Sequence, residues 1–404
     1  MKKLLFTLLL AAAGQTMMGQ KTIEVSVTNP TKTDRQAQPV IVQLKDTGMD
    51  VKSALVRLNG TEIPSQLDDL NGDGQYDELC FLTDIAPKGR QTFTVELLPT
   101  GTPRTYEQKV YADMMLTNKK IKSTNKQDLY ISSLTVDNGT NPYWMLHHHG
   151  PAFENEMVAY RIYFDHRQTV DTYGKYHKGL ELKQTQFYPD DEQKAKGFGD
   201  DVLWVGNTFG LGAFRGWDGQ QPTMIEPVKS RTQRVISYGP LRSIVEVVDQ
   251  GWVAEQGKPA LNMTLRYTQY AGHRDTDVDL FFNRDATDYR FSTGVINVKG
   301  STELNDQQGL RGCWGTDYPS TDTLKWKPET VGLAVLVGKG NVVAVPQANK
   351  DNYGLVVRPE GRHMAYKVAC ASANEEFGFH KAEEWFAWMK KWRTESEQPI
   401  RIQY

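Results

Sequence analysis

The stretch from His147 to Asp165 carries the densest set of side chains able to do chemistry. Read as an extended strand over 158–165, it places Val158, Tyr160, Ile162 and Phe164 on one face and Ala159, Arg161, Tyr163 and Asp165 on the other, because successive strand side chains alternate. The first face is apolar and belongs in a core. The second sets a guanidinium, a phenol and a carboxylate about 7 Å apart, a surface suited to an acidic, hydroxylated ligand. A following segment repeats the pattern: Asp171, Tyr173, Lys175 and His177 share one side if extended. Two neighbouring strands with such faces build a polar cleft, although a solvated sheet face laced with ion pairs has the same pattern.

The three consecutive histidines, His147, His148 and His149, cannot all reach one ion from a strand, and His147 with His149 makes a two-ligand zinc site at most. Proton transfer is the better use, since imidazole titrates close to neutral pH and a tyrosine phenol can protonate a departing oxygen. Carboxylate pairs for glycoside hydrolysis are also on offer among Glu154, Glu156, Asp165, Asp171, Asp200 and Asp201. No GxSxG elbow, phosphate-binding loop or dinucleotide fingerprint occurs, which speaks against α/β-type serine hydrolases and nucleotide enzymes.

A second cluster, Asp69, Asn71, Asp73 and Asp77 with Gly74 between them, matches the first half of an EF-hand-type loop and makes these four the candidate ligands of a structural calcium. The second half departs from the pattern. The position of the bidentate glutamate is Cys80, so Glu78 or water would have to complete the shell. The competing reading is a hairpin turn built from Asn, Gly and Asp.

Period-two alternation runs through the chain, as in Ile23, Val25 and Val27 and in later runs over 92–97, 243–248, 261–270 and 331–337. Helical spacing is confined to 380–392, where Trp385, Trp388 and Trp392 form a stripe expected to pack on a sheet. Pro99, Gly101 and Pro103 mark a linker. The expected architecture is all-β: an N-terminal β-sandwich over 20–103, a large antiparallel β-supersandwich over 110–404 and one C-terminal helix. Lys2 and Lys3 followed by the apolar run Leu4 to Ala13 read as a cleavable signal peptide over 1–19, with no cysteine placed for a lipid anchor. That implies a soluble periplasmic or secreted protein with no membrane span. A net charge of −2, with both signs interspersed, excludes a nucleic-acid partner, and three scattered cysteines allow one disulfide at most. Nine Trp and eighteen Tyr in so polar a chain leave aromatic faces exposed, as in sugar-binding clefts, although half-buried sheet positions also take them.

The set His149-Gly150-Pro151, Glu154, Val158 to Asp165, Asp171 to Lys175, Gly199 to Gly206 and Tyr238 to Arg242, with Ile63 to Gln66 ahead of the Asp69 loop, resembles a secreted Bacteroidota family named as a domain of unknown function. The resemblance implies a setting among polysaccharide-utilisation genes, a mutarotase-like supersandwich, and a dehydratase that removes water from the non-reducing-end uronic acid of an acidic oligosaccharide. It implies that Arg161 or Lys175 neutralises the substrate carboxylate, that His149 or His177 removes the C5 proton and that Tyr163 or Tyr173 protonates the C4 hydroxyl, with no cofactor required. A non-catalytic glycan-binding protein and a glycoside hydrolase stay open as alternatives. On this reading Arg161 is removable without loss of stability.

Overall fold

The structure, a computed structural model, describes residues 19–121 and 127–404. The expected signal peptide falls, up to Met18, outside them. All named strand pairs are antiparallel, and strand is the dominant element. No helix among the described residues is long and apolar enough to cross a membrane.

The N-terminal sandwich forms where the alternation is cleanest. A five-stranded sheet, which includes Lys21–Thr28, Arg90–Leu98 and Ser53–Leu58, faces a three-stranded sheet of Arg35–Gln43, Glu78–Ile85 and Ser65–Asp68. Val25, Val27, Val40, Val42, Phe81, Phe93 and Val95 fill the space between. The edge of the larger sheet is Arg401–Gln403, paired with Lys21–Thr28 in the register Thr28↔Arg401. The last residues, placed by sequence in the second unit, thus return to complete the first.

The second unit is built on a nine-stranded sheet. Its strands carry two apolar faces. On Glu329–Val337, Leu333, Val335 and Val337 join the main core, while Ala334 and Leu336 face the opposite way, toward the C-terminal helix Ala382–Glu397. The helix lays Trp385, Met389 and Trp392 on that back face, so the expected tryptophan stripe is a packing stripe. Close approach there needs Gly332, where a Cβ would come 2.8 Å from the Trp385 ring. Two five-stranded sheets cover the front face. One comprises Val110–Asp113, Ala152–Asn155, Ala159–Ile162, Val170–Gly174 and Asp200–Asp201 and carries the residues singled out above.

The two units meet through buried polar groups. Arg242 lies between Asp68 (2.7 Å) and Glu78 (2.7 Å), and Gln66 accepts the amides of Leu241 (2.7 Å) and Arg242 (3.0 Å). Beside them His273 bridges Asp275 (3.0 Å) and the carbonyl of Ala37 (2.8 Å). Cys80, Cys313 and Cys370 are buried and unpaired, so the disulfide allowed by the count is absent. Burial pushes each thiol up to about 12.

Candidate functional site

The division of residues 158–165 into two faces is the one alternation dictates. Val158, Tyr160, Ile162 and Phe164 lie in the main core, and Arg161 lies opposite Asp171 on the neighbouring strand, on the other face. Regular strand ends at Ile162, however, and Asp165 turns to hold Arg167 at 2.6 Å. Nor is the polar face open. Leu182 and Phe187 cross it against Ala152, Ala159 and Tyr173, burying most of what the sequence reads as a cleft.

Arg161 is only 5% exposed. Its Nη2 donates to Asp171 (2.6 Å) and Asp201 (2.9 Å), and its Nη1 to the Tyr188 hydroxyl (3.0 Å). Its guanidinium stacks on Phe187 at 4.2 Å. Burial would lower its pKa, but Tyr163, Asp171, Tyr188 and Asp201 raise it well above the usual value. Burial, reinforced by Asp171, pushes Asp201 well above the carboxylate range. This speaks against the expectation that Arg161 is removable without loss of stability, since its removal would leave two buried carboxyls without their cation.

Tyr163 donates its hydroxyl to Asp171 Oδ2 at 2.9 Å and accepts from Arg161 Nη2 at 3.3 Å. Burial and the Asp171 charge raise the phenol well above its ordinary value, so it holds its proton at neutral pH. Tyr143, Arg167 and His149 surround it: the Tyr143 ring is 5.5 Å away, the Arg167 guanidinium 5.1 Å and the imidazole 6.1 Å.

The histidines sit in a short 3₁₀ turn, not a strand, so the alternation argument does not apply to them. His147 and His148 are buried, and His149 alone is half-buried. His148 Nε2 lies 3.2 Å from Asp113 Oδ1, yet neither atom has a hydrogen-bond partner, because the pair is out of line. His149 stacks on Tyr143 at 3.8 Å and donates Nδ1–H to its carbonyl at 2.9 Å. A carbonyl only accepts, so the tautomer is fixed and Nε2 keeps its lone pair. Burial lowers the His149 pKa to about 4 and that of His147 to about 3, leaving both neutral near pH 7.

The turn is strained. His148 (φ 39°) and His149 (φ 69°) are consecutive left-handed residues, as are Gln186 (φ 47°) and Phe187 (φ 68°) beneath Arg161. Such backbone costs roughly 1–3 kcal/mol per residue and concentrates at functional sites. Gly150 then lets the chain cross the next strand, where a Cβ would fall 1.7 Å from the Ile162 carbonyl oxygen.

The other expected residues lie elsewhere. Lys175 is wholly buried, its ammonium shared by Glu154 (2.5 Å), Asn155 (2.8 Å) and the Gly179 carbonyl, so it has no face for a substrate. Tyr173 is enclosed, its hydroxyl 2.9 Å from Glu181 and 2.7 Å from the Gly199 carbonyl. His177 is 53% exposed, pairs with Glu376 at 2.9 Å and makes no described contact with Arg161 or Tyr163. Three contributors went unread in the sequence: Tyr143, Trp144 and Arg167. Arg167 follows Asp165 by two residues, a spacing that alone signals only a local ion pair.

In the Asp69 loop, Asp69 accepts the amides of Gly72 (2.7 Å) and Gly74 (2.8 Å), Asn71 that of Asp73 (2.8 Å), Asp73 that of Gln75 (2.9 Å) and Asp77 that of Leu70 (2.7 Å). Glu78 is engaged by Arg242 and Gln43. No group of three or more His, Cys, Asp or Glu able to hold a metal occurs among the described residues.

Fold and site together define an all-β sandwich protein with a histidine–tyrosine–arginine cluster at one sheet end. The chain belongs to the family described as a domain of unknown function, DUF4861, whose model matches residues 27–402. No curated protein matches the sequence. Among solved structures it is similar to an alpha-mannosidase from Enterococcus faecalis V583, at 11% identity and a TM-score of 0.48 over 95% of this chain and 46% of the other. It is also similar to a protein in the glycosyl hydrolase family 38 from Enterococcus faecalis, at 12% identity and a TM-score of 0.47 over 94% of this chain and 47% of the other. The chain therefore spans less than half the length of either.

Proposed function

We propose that the protein is a carbon–oxygen lyase that eliminates water from the non-reducing-end uronic acid of acidic oligosaccharides, in the periplasm or outside the cell. One observation carries the reading: His149 commits Nδ1–H to the Tyr143 carbonyl, which leaves Nε2 its lone pair, and the imidazole lies edge to face with the Tyr163 ring at 6.1 Å between centroids. Burial lowers the imidazole and raises the phenol, so the first is neutral and the second keeps its proton. The shifts set the protonation states an elimination starts from, an unprotonated base and a protonated acid.

In the proposed reaction His149 Nε2 takes the C5 proton, the C4–O bond breaks as the C4=C5 double bond forms, and Tyr163, turning its O–H from Asp171 to the substrate, protonates the departing hydroxyl, which leaves as water. Arg161 at 3.3 Å stabilises the phenolate left behind. The proton on His149 returns to Tyr163 through solvent, restoring both groups. Arg167, 19% exposed beside Tyr163, supplies the cation for the substrate carboxylate, which also acidifies the C5 proton. These transfers use side chains alone. The lysine-led apolar leader supports the location.

Hydrolysis is less well served. It needs a carboxylate open to the sugar, and those around Tyr163 are engaged: Asp171 is 0% exposed and held by Arg161 and Tyr163, Asp165 is held by Arg167, and Asp201 by Arg161. The test is to incubate the protein with saturated, uronate-terminated oligosaccharides and with the same chains after reduction of the carboxyl group. Ultraviolet absorbance of an unsaturated uronate should grow only with the first. Equal behaviour of the two substrates would remove the carboxylate from the mechanism and overturn it.

A further inference from the structure

We infer that Trp144 is the platform on which the sugar next to the reacting uronate stacks, so that a chain of at least two sugars is a better substrate than a free uronic acid. The inference rests on the elimination proposed above.

Trp144 is 77% exposed, the most exposed tryptophan among the described residues. The exposure is held in place by the backbone on both sides. The Tyr143 amide donates to Asn141 Oδ1 (3.0 Å), the Met145 amide to the Pro142 carbonyl (2.7 Å) and the Thr117 amide to the Met145 carbonyl (2.8 Å). The indole stands at right angles to the stacked Tyr143–His149 pair, 4.9 Å from the first ring and 5.1 Å from the second. An apolar surface of that size, fixed in solvent beside a reactive imidazole, is suited to the C–H face of a pyranose.

Its place along the cluster decides which sugar it meets. Arg167 lies over Tyr143 and Tyr163, at 5.0 and 5.1 Å, whereas Trp144 lies against Tyr143 and His149. The cation therefore marks the Tyr163 end and the indole the His149 end. In a uronate the carboxylate leaves C5 on one side, and the ring oxygen leads on the other through C1 to the next sugar. A substrate with its C5 proton at Nε2 and its carboxylate toward Arg167 extends its glycosidic side toward Trp144.

The experiment compares a uronic acid with the disaccharide that carries it at the non-reducing end, using wild type, Trp144→Ala and Trp144→Phe. In wild type the disaccharide should have the higher kcat/KM. Trp144→Ala should lower the disaccharide value roughly tenfold, the size of one aromatic stacking contact, and leave the monosaccharide value unchanged. Trp144→Phe should recover most of the loss. An unchanged disaccharide value, or equal loss on both substrates, overturns the inference. If wild type turns over neither, elimination fails separately, and calorimetric titration with the unsaturated disaccharide still decides: binding weakened roughly tenfold in Trp144→Ala supports the platform, and equal binding removes it.

Discussion

The junction between the two sandwiches and the cluster around His149 are assembled from the same parts, an arginine buried between two carboxylates and a histidine beside it. At the junction Arg242 holds Asp68 and Glu78, and His273 presents both ring nitrogens to acceptors. None of these four residues leaves a buried polar atom unpaired. Around Arg161, by contrast, His147 Nε2, His148 Nε2 and Asp113 Oδ1 lack hydrogen-bond partners, four non-glycine residues sit in left-handed backbone against Ala37 alone beside His273, and His149 uses only one nitrogen. Buried ion triads alone therefore do not mark a functional site. The proposed site rests instead on consecutive left-handed residues, unspent hydrogen-bonding capacity and a histidine kept neutral, brought together in one cluster. The segments behind the family resemblance divide the same way. Ile63 to Gln66 meets Tyr238 to Arg242 at the junction, while His149, Arg161, Asp171 and Asp201 meet at the cluster.

The sharpest way to break this contrast is His149→Ala, which should lower turnover of a uronate-terminated oligosaccharide by about 10²–10⁴-fold while leaving the urea midpoint near wild type. Near-normal turnover would make His149 a packing residue like His273. Next in size, Arg161→Ala and Arg242→Ala should each cost about 3–5 kcal/mol in urea denaturation, since each strands two buried carboxyls. Partial turnover should survive only in Arg242→Ala, assayed where both variants are folded. Equal activity loss in both would erase the distinction between the triads.

pH separates the two histidines. Burial lowers the His273 pKa, but the hydrogen bond to Asp275 and its charge outweigh burial and hold it above the ordinary value. A raised folded pKa stabilises fully below the unfolded value, and the contribution fades as pH climbs through the folded one. Stability should thus decline above neutral pH in wild type and less steeply in His273→Gln. His149 has the opposite shift, so the acid limb of kcat/KM should fall near about 4, well below the usual histidine range. The smallest effect isolates backbone strain: His149→Gly should be more stable than His149→Ala by roughly 1 kcal/mol, because glycine carries no left-handed penalty.

What could be read in advance follows from range in sequence. The inward set Val158, Tyr160, Ile162 and Phe164, and the shared side of Arg161 and Asp171, come from period-two geometry and were legible. The helix stripe was legible for the same reason at period 3.6. What covers the polar face was not, because Leu182 and Phe187 reach it from a separate segment, and the partners Glu154 and Gly179 that bury Lys175 lie outside its strand. The His147 to His149 turn was misread as strand because left-handed backbone at histidine has no pattern in composition. The strand Arg401–Gln403 announces no partner, since pairing with Lys21–Thr28 depends on where the helix delivers the chain end.

The most direct test is mass spectrometry of a uronate-terminated oligosaccharide after incubation with wild type and His149→Ala side by side. The expected result is loss of one water with every sugar retained in wild type, and intact substrate in the variant. Shortened chains from wild type, or equal loss of water in both, would contradict an elimination driven by His149.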